Sequence, residues 1–137
     1  MKNQLLLFLC LTLFSTTLLA NGRNNLKLEG LTDNGMFSLL LYPKNGDALI
    51  GDHHNWIIEV KDIADKPVSN ALFNVSGGMA AHGHGLPSQP IVTKYLGDGQ
   101  YLIEGMLFNM SGDWSLLIVV QQGNQGDRKQ FEMKLSF

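Results

Sequence analysis

Residues 91–108 read IVTKYLGDGQYLIEGMLF, and this stretch decides the class of fold. Two runs of mostly apolar residues, Ile91 to Leu96 and Gln100 to Phe108, flank the triplet Gly97-Asp98-Gly99. An Asp-Gly pair tolerates the positive φ angles of a tight hairpin turn, so the stretch predicts two antiparallel strands. Gly105, inside the second run, predicts a β-bulge or a close approach of two backbones.

Further strands are predicted on both sides of this hairpin. Residues 56–61, WIIEVK, alternate with the period of two that marks a half-buried strand. Residues 114–120 are apolar on both faces, as in a central strand. After Ala20 no stretch has helical periodicity. Seven to eight short strands separated by turns predict an all-β, immunoglobulin-like β-sandwich, in one domain spanning residues 21–137.

The N-terminal segment, residues 1–20, predicts a signal peptide. Lys2 precedes an uncharged apolar run that ends at Ala20, before the polar Asn21. We expect cleavage after Ala20 and a periplasmic or otherwise exported product. The alternative is an uncleaved anchor, and this segment is then the only contact with a membrane. Cys10, the single cysteine, lies inside the segment, so the exported chain has no thiolate to offer a metal.

Charge and motifs exclude two classes of function. Without Lys2 the chain carries 9 basic and 12 acidic side chains, and it has no basic run, so we do not expect nucleic acid as a partner. The acidic residues are scattered and lie mostly in predicted turns, and no Gly-x-Ser-x-Gly motif is present. We therefore predict that the protein is not an enzyme.

The stretch from Gly77 to Pro90, GGMAAHGHGLPSQP, is the candidate functional loop. In an extended backbone the imidazoles of His82 and His84 project to the same side, and flexible glycines can bring the Met79 thioether toward them. Imidazole and thioether together suit copper, especially Cu(I), better than harder ions. In the alternative interpretation these residues have a structural role and bind no metal, because Met also fills gaps in protein cores and a His can hydrogen-bond its own loop.

Two more distant residues extend the candidate metal set. Met110, beside the Ser111-Gly112 turn, is a better candidate than Met106, which we assign to the core. His54 is the other candidate, although a buried His54 bonded to a backbone carbonyl is the favoured interpretation. We expect His53 to be exposed.

An ordered set of landmarks resembles the YtkA-like family of small exported sandwich domains, which is related to the FixH-like proteins. The resemblance implies the fold and export, with a loose association with copper handling and oxidase assembly. CopC-type copper carriers place a His at the mature N-terminus, where this chain has Asn21, so their metal site is not transferred. FixH-like proteins keep a membrane anchor, whereas the N-terminal segment of this chain resembles a cleavable signal, and this difference weakens the functional analogy. The landmarks are Gly51-x-x-His54-x-Trp56, Lys66-Pro67-Val68, Gly77-Gly78-Met79, His82-Gly83-His84-Gly85-Leu86-Pro87, Val92-Thr93, Leu96-Gly97-Asp98-Gly99-x-Tyr101, Glu104-Gly105-Met106-x-Phe108-x-Met110 and Gly112-x-Trp114.

Two hypotheses about function follow. In the first, the protein is a non-enzymatic copper-binding or copper-trafficking module that uses His82, His84 and one or more of Met79, Met110 and His54. In the second, it is an accessory or assembly module whose glycine-rich loop and a sheet edge contact another envelope protein. The histidines then only shape the loop.

Overall fold

The computed structural model describes residues 26–136, which form two β-sheets packed face to face. One sheet has the strand order β1-β2-β3-β7-β6 and the other the order β5-β4-β8-β9, and the strand pairs are antiparallel. The predicted all-β sandwich is confirmed. The strands are β1 (Leu28–Leu31), β2 (Phe37–Pro43), β3 (His54–Asp62), β4 (Leu72–Met79), β5 (His84–Gly85), β6 (Ile91–Gly97), β7 (Gln100–Met106), β8 (Gly112–Gln122) and β9 (Gln125–Leu135).

The hairpin that predicted the fold forms strands β6 and β7. Asp98 and Gly99 have φ angles of 48° and 75°, the pair of positive values that a two-residue type I′ turn requires. Gly105 also has a positive φ, 80°, and the pairing with β3 changes register beside it, from Trp56 opposite Ile103 to His54 opposite Met106. The predicted bulge is therefore confirmed.

Alternating side chains of the two sheets fill the core. Along β8 the inward residues Trp114, Leu116, Ile118 and Val120 are all fully buried. Trp56 on β3 is buried equally deeply in the facing sheet. Burial of one such side chain stabilises the fold by about 1.5–3 kcal/mol, so the core is the main source of stability.

The structure departs from the sequence expectation in the stretch from residue 77 to residue 90. We expected a loop to begin at Gly77, but β4 continues to Met79, because Gly77 and Gly78 still pair with Leu116 and Ser115 of β8. The two-residue strand β5 then pairs with the end of β4 and is one of nine strands within residues 26–136.

The predicted signal peptide lies outside the described residues. Among residues 26–136 no helix is both long enough and apolar enough to cross a membrane.

Asp127, near the start of β9, stabilises the turn between β1 and β2 through hydrogen bonds. Its carboxylate accepts hydrogen bonds at 2.9 Å from the N–H groups of Asn34 and Arg128, and a third, also at 2.9 Å, from the Asn34 side chain. Met36 N–H donates a longer one at 3.3 Å. Burial raises the pKa of the Asp127 carboxyl, but these bonds and one from the Thr32 hydroxyl outweigh burial and lower the pKa to about 2. The ionised carboxylate therefore stabilises the folded chain.

We expect acid to remove this stabilisation. The pKa of Asp127 is about 2 in the folded chain and 3.8 in a free carboxyl, so its contribution is complete above the higher value and is lost as the pH falls toward the lower. Urea denaturation between about pH 6 and pH 2 should show a steeper fall in the free energy of unfolding for the parent than for Asp127→Asn. Asp98→Asn, in an exposed turn, is the control. Parallel curves for the parent and Asp127→Asn would contradict the assignment.

Candidate functional site

The candidate ligands of the loop gather at one end of the sandwich. Met79 ends β4, His84 begins β5, and Met110 lies just before β8. A single 3₁₀ turn, Ala80–His82, leaves β4, and Gly83 follows it in the left-handed conformation with a φ of 68°. Residues 77–86 therefore form a compact β-hairpin, which we call the His hairpin.

Backbone hydrogen bonds and close contacts fix the His hairpin against β4. The N–H of Gly83 bonds the Met79 carbonyl at 3.0 Å, and the N–H of Leu86 bonds the Gly77 carbonyl at 3.0 Å. At Gly78 a Cβ atom would overlap the carbonyl oxygen at the start of β5 and lie 2.8 Å from the Cα atom of the next residue. Only glycine therefore lets the two strands approach this closely.

The hairpin brings the imidazoles of His82 and His84 together on the exposed surface. Their ring centroids are 6.0 Å apart and their planes are inclined by 45°. Two imidazoles that share one metal ion, with metal–nitrogen bonds of about 2.0 Å, have centroids roughly 5–6.3 Å apart. The expected extended backbone is absent, because His82 ends the 3₁₀ turn and Gly83 reverses the chain. The 3₁₀ turn and Gly83, instead of an extended backbone, bring the two imidazoles close together.

The His84 ring is oriented by its own backbone. Its Nδ1 lies 2.9 Å from the Gly85 carbonyl oxygen. A carbonyl oxygen can only accept, so Nδ1 carries the proton and donates it, and the lone pair of the neutral ring is on Nε2. Metal-binding histidines commonly have this arrangement, in which a backbone carbonyl fixes the tautomer and the orientation of the ring.

The two methionines of the candidate set differ in access to solvent. Met79 is 2% exposed and part of the core, with its Cε only 2.6 Å from the position of a Cβ on Gly112. Met110 is half-buried, and its carbonyl accepts a hydrogen bond from the Trp114 indole at 3.1 Å. Met106 is fully buried, as predicted. Of these three methionines, Met110 is therefore the one with access to the surface.

Trp114 links the His hairpin to Met110, a role that the residue spacing does not indicate. Its ring meets the His84 ring edge to face, with centroids 5.9 Å apart and an angle of 70°. Trp114 begins the run 114–120 that predicts a central strand, but 30 residues separate it from His84, and no spacing rule joins strands so far apart in the chain. The one local signal was the motif Gly112-x-Trp114, whose glycine makes room for Met79.

His54 lies at the same end of the sandwich but outside this group. Its Nδ1 accepts a hydrogen bond from the Trp56 indole at 2.8 Å, so the proton of the neutral ring is on Nε2 and neither nitrogen offers a free lone pair. Burial lowers the pKa of His54; the Leu49 carbonyl opposes the shift, although Nε2 has no hydrogen-bond partner among the described residues. Phe108 contacts both His54 and Trp114, with ring centroids 5.5 Å and 5.1 Å away. The favoured interpretation is therefore corrected in two respects: His54 is half-buried, and its hydrogen-bond partner is an indole instead of a carbonyl.

Carboxylates do not add to the candidate set. Within the described part of the chain, no group of three or more His, Cys, Asp or Glu side chains lies close enough to hold a metal ion. His53 is exposed, as predicted, and stands apart from the His hairpin on the approach to β3. Any third ligand beside His82 and His84 is therefore a thioether, a backbone group or a solvent molecule.

Comparison with known proteins identifies a family. A family model described as YtkA-like matches residues 44–119, which include the whole His hairpin, Met110 and His54. No curated protein and no solved structure matches the chain.

The packing at Gly78 predicts that its substitution disrupts the His hairpin. In Gly78→Ala the added methyl group meets backbone atoms of β5, which cannot rotate away, and we expect a loss of roughly 1–3 kcal/mol of stability. Amide exchange at Gly83 and Leu86 should become faster. Gly85→Ala is the matched control, because its Cβ has 3.4 Å of clearance. Equal exchange rates in the two variants would contradict this role for Gly78.

The lowered pKa of His54 predicts a second, milder pH dependence. The unfolded chain binds a proton near pH 6.5 and the folded chain only at lower pH, so the neutral ring stabilises the fold above this value and the contribution is lost as the pH falls below it. An NMR titration should place the His54 midpoint below 6.5. His54→Gln keeps an acceptor for Trp56 without titrating, and its stability should be flatter between about pH 7 and pH 5. A midpoint at or above 6.5 would contradict the prediction.

Proposed function

The chain belongs to the YtkA-like family, and from this premise we propose that it is an exported, non-enzymatic module that binds copper at the His hairpin. The proposal of export rests on the apolar N-terminal segment, residues 1–20. His82 and His84 supply imidazole nitrogens, and Met110 supplies a thioether sulfur. The small all-β domain holds these groups on a rigid scaffold.

The main support for the proposal is the orientation of the His84 ring and the position of its proton. The hydrogen bond from Nδ1 to the Gly85 carbonyl leaves Nε2 as the free nitrogen, and the His82 ring lies at a centroid distance that one shared ion permits. A histidine that only shapes a loop needs no second imidazole beside it. Two exposed rings with one of them already oriented favour a ligand pair.

The available ligands favour Cu(I) over harder ions. The sole cysteine, Cys10, precedes the described region, and no third His or carboxylate group joins the pair within residues 26–136. Structural zinc sites use four ligands drawn from Cys, His and carboxylates. Cu(I) accepts imidazole and thioether ligands, so two histidines and one methionine form a suitable set.

Met110 is preferred over Met79 as the sulfur ligand. Met79 is almost fully buried and packs against Gly112, so its thioether is part of the core beneath the His hairpin. Met110 is half-buried on the loop that enters β8, and the Trp114 indole holds its backbone. Trp114 thus contacts one proposed ligand through its ring and a second through its N–H group.

The exposure of both histidines suits a role in copper transfer. His82 and His84 lie on the surface, so a second protein can reach an ion bound to them. A buried site would need the hairpin to open before the ion could leave. An accessible three-ligand site therefore fits trafficking better than permanent storage.

Copper binding can be tested directly. Protein produced from the full sequence should be titrated with Cu(I) under reducing, anaerobic conditions against a competing chelator. We expect His82→Ala and His84→Ala each to weaken binding by at least the roughly 10–100-fold that loss of an outer-shell partner costs. Met110→Leu should weaken it while leaving the fold intact. Bound copper should also quench Trp114 fluorescence, because this ring touches His84.

His53→Ala is the matched control, because it removes an exposed histidine outside the hairpin. Trp56→Phe leaves Trp114 as the only tryptophan, so the quenching can be assigned. If the parent binds Cu(I) no more tightly than the double variant His82→Ala/His84→Ala, the proposal is wrong. Equal loss in His53→Ala would also overturn it.

A further inference from the structure

Two Asn-Gly pairs lie in turns between strands of the described chain. Asn34-Gly35 lies between β1 and β2, and Asn45-Gly46 lies between β2 and β3. An asparagine followed by glycine is prone to spontaneous deamidation, because glycine has no side chain to hinder attack by its backbone nitrogen on the asparagine amide. Both pairs contain the same reacting groups, so their surroundings decide which pair reacts.

Deamidation sets two structural requirements. The asparagine side chain must turn until its Cγ atom meets the backbone nitrogen of the following glycine, and that nitrogen must lose its proton. Hydrogen bonds that hold the side-chain amide or the glycine N–H therefore slow the reaction. A nearby negative charge slows it too, because it opposes deprotonation of the nitrogen.

Hydrogen bonds restrain the first pair at both reacting groups. The side-chain nitrogen of Asn34 donates to the Asp127 carboxylate at 2.9 Å, and the Gly35 N–H donates to the Thr32 carbonyl at 2.8 Å. The same carboxylate accepts from the backbone N–H groups of Asn34 and Met36, on both sides of Gly35. It is ionised, so it holds the Asn34 side chain in place and also opposes loss of the Gly35 proton.

The second pair lacks these restraints. The Asn45 side chain is exposed and has no hydrogen bond to any of residues 26–136. The Gly46 N–H donates to the Pro43 carbonyl over a longer distance, 3.3 Å. Lys44 and Asp47 flank the pair with opposite charges, and both are exposed, so solvent screens them.

We propose that Asn45-Gly46 is a site of self-modification, at which the folded protein converts Asn45 into an acidic residue. The Gly46 nitrogen gives its proton to a solvent base and forms a bond to the Cγ atom of Asn45. The bond from Cγ to the side-chain nitrogen then breaks, this nitrogen takes up a proton and leaves as ammonia, and a cyclic succinimide remains. Water adds to one carbonyl carbon of the ring and opens it to aspartate or isoaspartate. Each conversion consumes one water molecule and releases one ammonia, with no change in oxidation state.

The new carboxylate lies on the wall of a hollow with a volume of about 300 Å³. The hollow is lined by Asn45, Asp47, Leu49, His53, His54 and Asn55. Deamidation adds a second carboxylate to this lining, beside its two histidines, so the hollow attracts cations more strongly as the protein ages. No proposed copper ligand takes part in the reaction.

Peptide mass spectrometry on protein made from the full sequence tests this proposal. Trypsin cuts after Lys27, Lys44 and Lys61, so residues 28–44 carry Asn34 and residues 45–61 carry Asn45. The folded protein is kept in mildly alkaline buffer and sampled over time, and fragmentation of each peptide identifies the residue that has changed mass. We expect Asn45 to react at least about tenfold faster than Asn34, because the reaction at Asn34 must first break a hydrogen bond to a charged group.

Three controls show whether the fold causes the difference. In urea both pairs lose their folded surroundings and should react at comparable rates. In the folded protein, Asp127→Asn should speed the reaction at Asn34 and leave the rate at Asn45 unchanged. Asn45→Gln should keep residues 45–61 unmodified, because the longer side chain cyclises poorly.

Several results would overturn the proposal. In the folded protein, a rate at Asn34 equal to or higher than the rate at Asn45 would do so. So would an Asn45 that stays intact in the folded protein while the unfolded chain reacts. A mass change in residues 45–61 that persists in Asn45→Gln would show that another residue is the source.

Discussion

Burial of the Trp114 indole is the constraint on which the candidate site depends. The ring fills the core at one end of the sandwich, and its N–H needs an acceptor, because an unpaired buried donor costs about 1–3 kcal/mol. The Met110 carbonyl is that acceptor, so the loop before β8 must approach the core closely. The same ring meets His84 edge to face and packs against Phe108. The Trp114 indole therefore positions two of the proposed copper ligands, Met110 through its hydrogen bond and His84 through ring contact.

Glycine controls how closely the His hairpin approaches this ring. Gly78 lets β5 lie against β4, and Gly112 leaves room for the Met79 side chain beneath. Gly78 has no space for a Cβ beside the backbone of β5, and a Cβ on Gly112 would displace the end of the Met79 side chain. The exposed imidazoles consequently stand on a rigid base, which lowers the entropic cost of bringing two ligands to one ion.

The two ends of the sandwich have different roles. At one end Asp127 gathers backbone donors and closes the turn between β1 and β2 with an ionised carboxylate. At the other end lie the imidazoles and thioethers of the candidate site. A scaffold that is stabilised away from its candidate site can keep exposed ligands without losing its fold.

The sequence by itself determined the fold class, the central hairpin with its turn at Asp98 and Gly99, and the bulge at Gly105. These features follow from local rules: alternation with a period of two, and the few residues that accept a positive φ. Only the tertiary structure decided which candidate ligands meet. It joined His84 to Trp114 across 30 residues of chain, bonded His54 to Trp56 and buried Met79. Such contacts depend on strand order and on the distance between the two sheets, and neither is encoded in the spacing of residues along the chain.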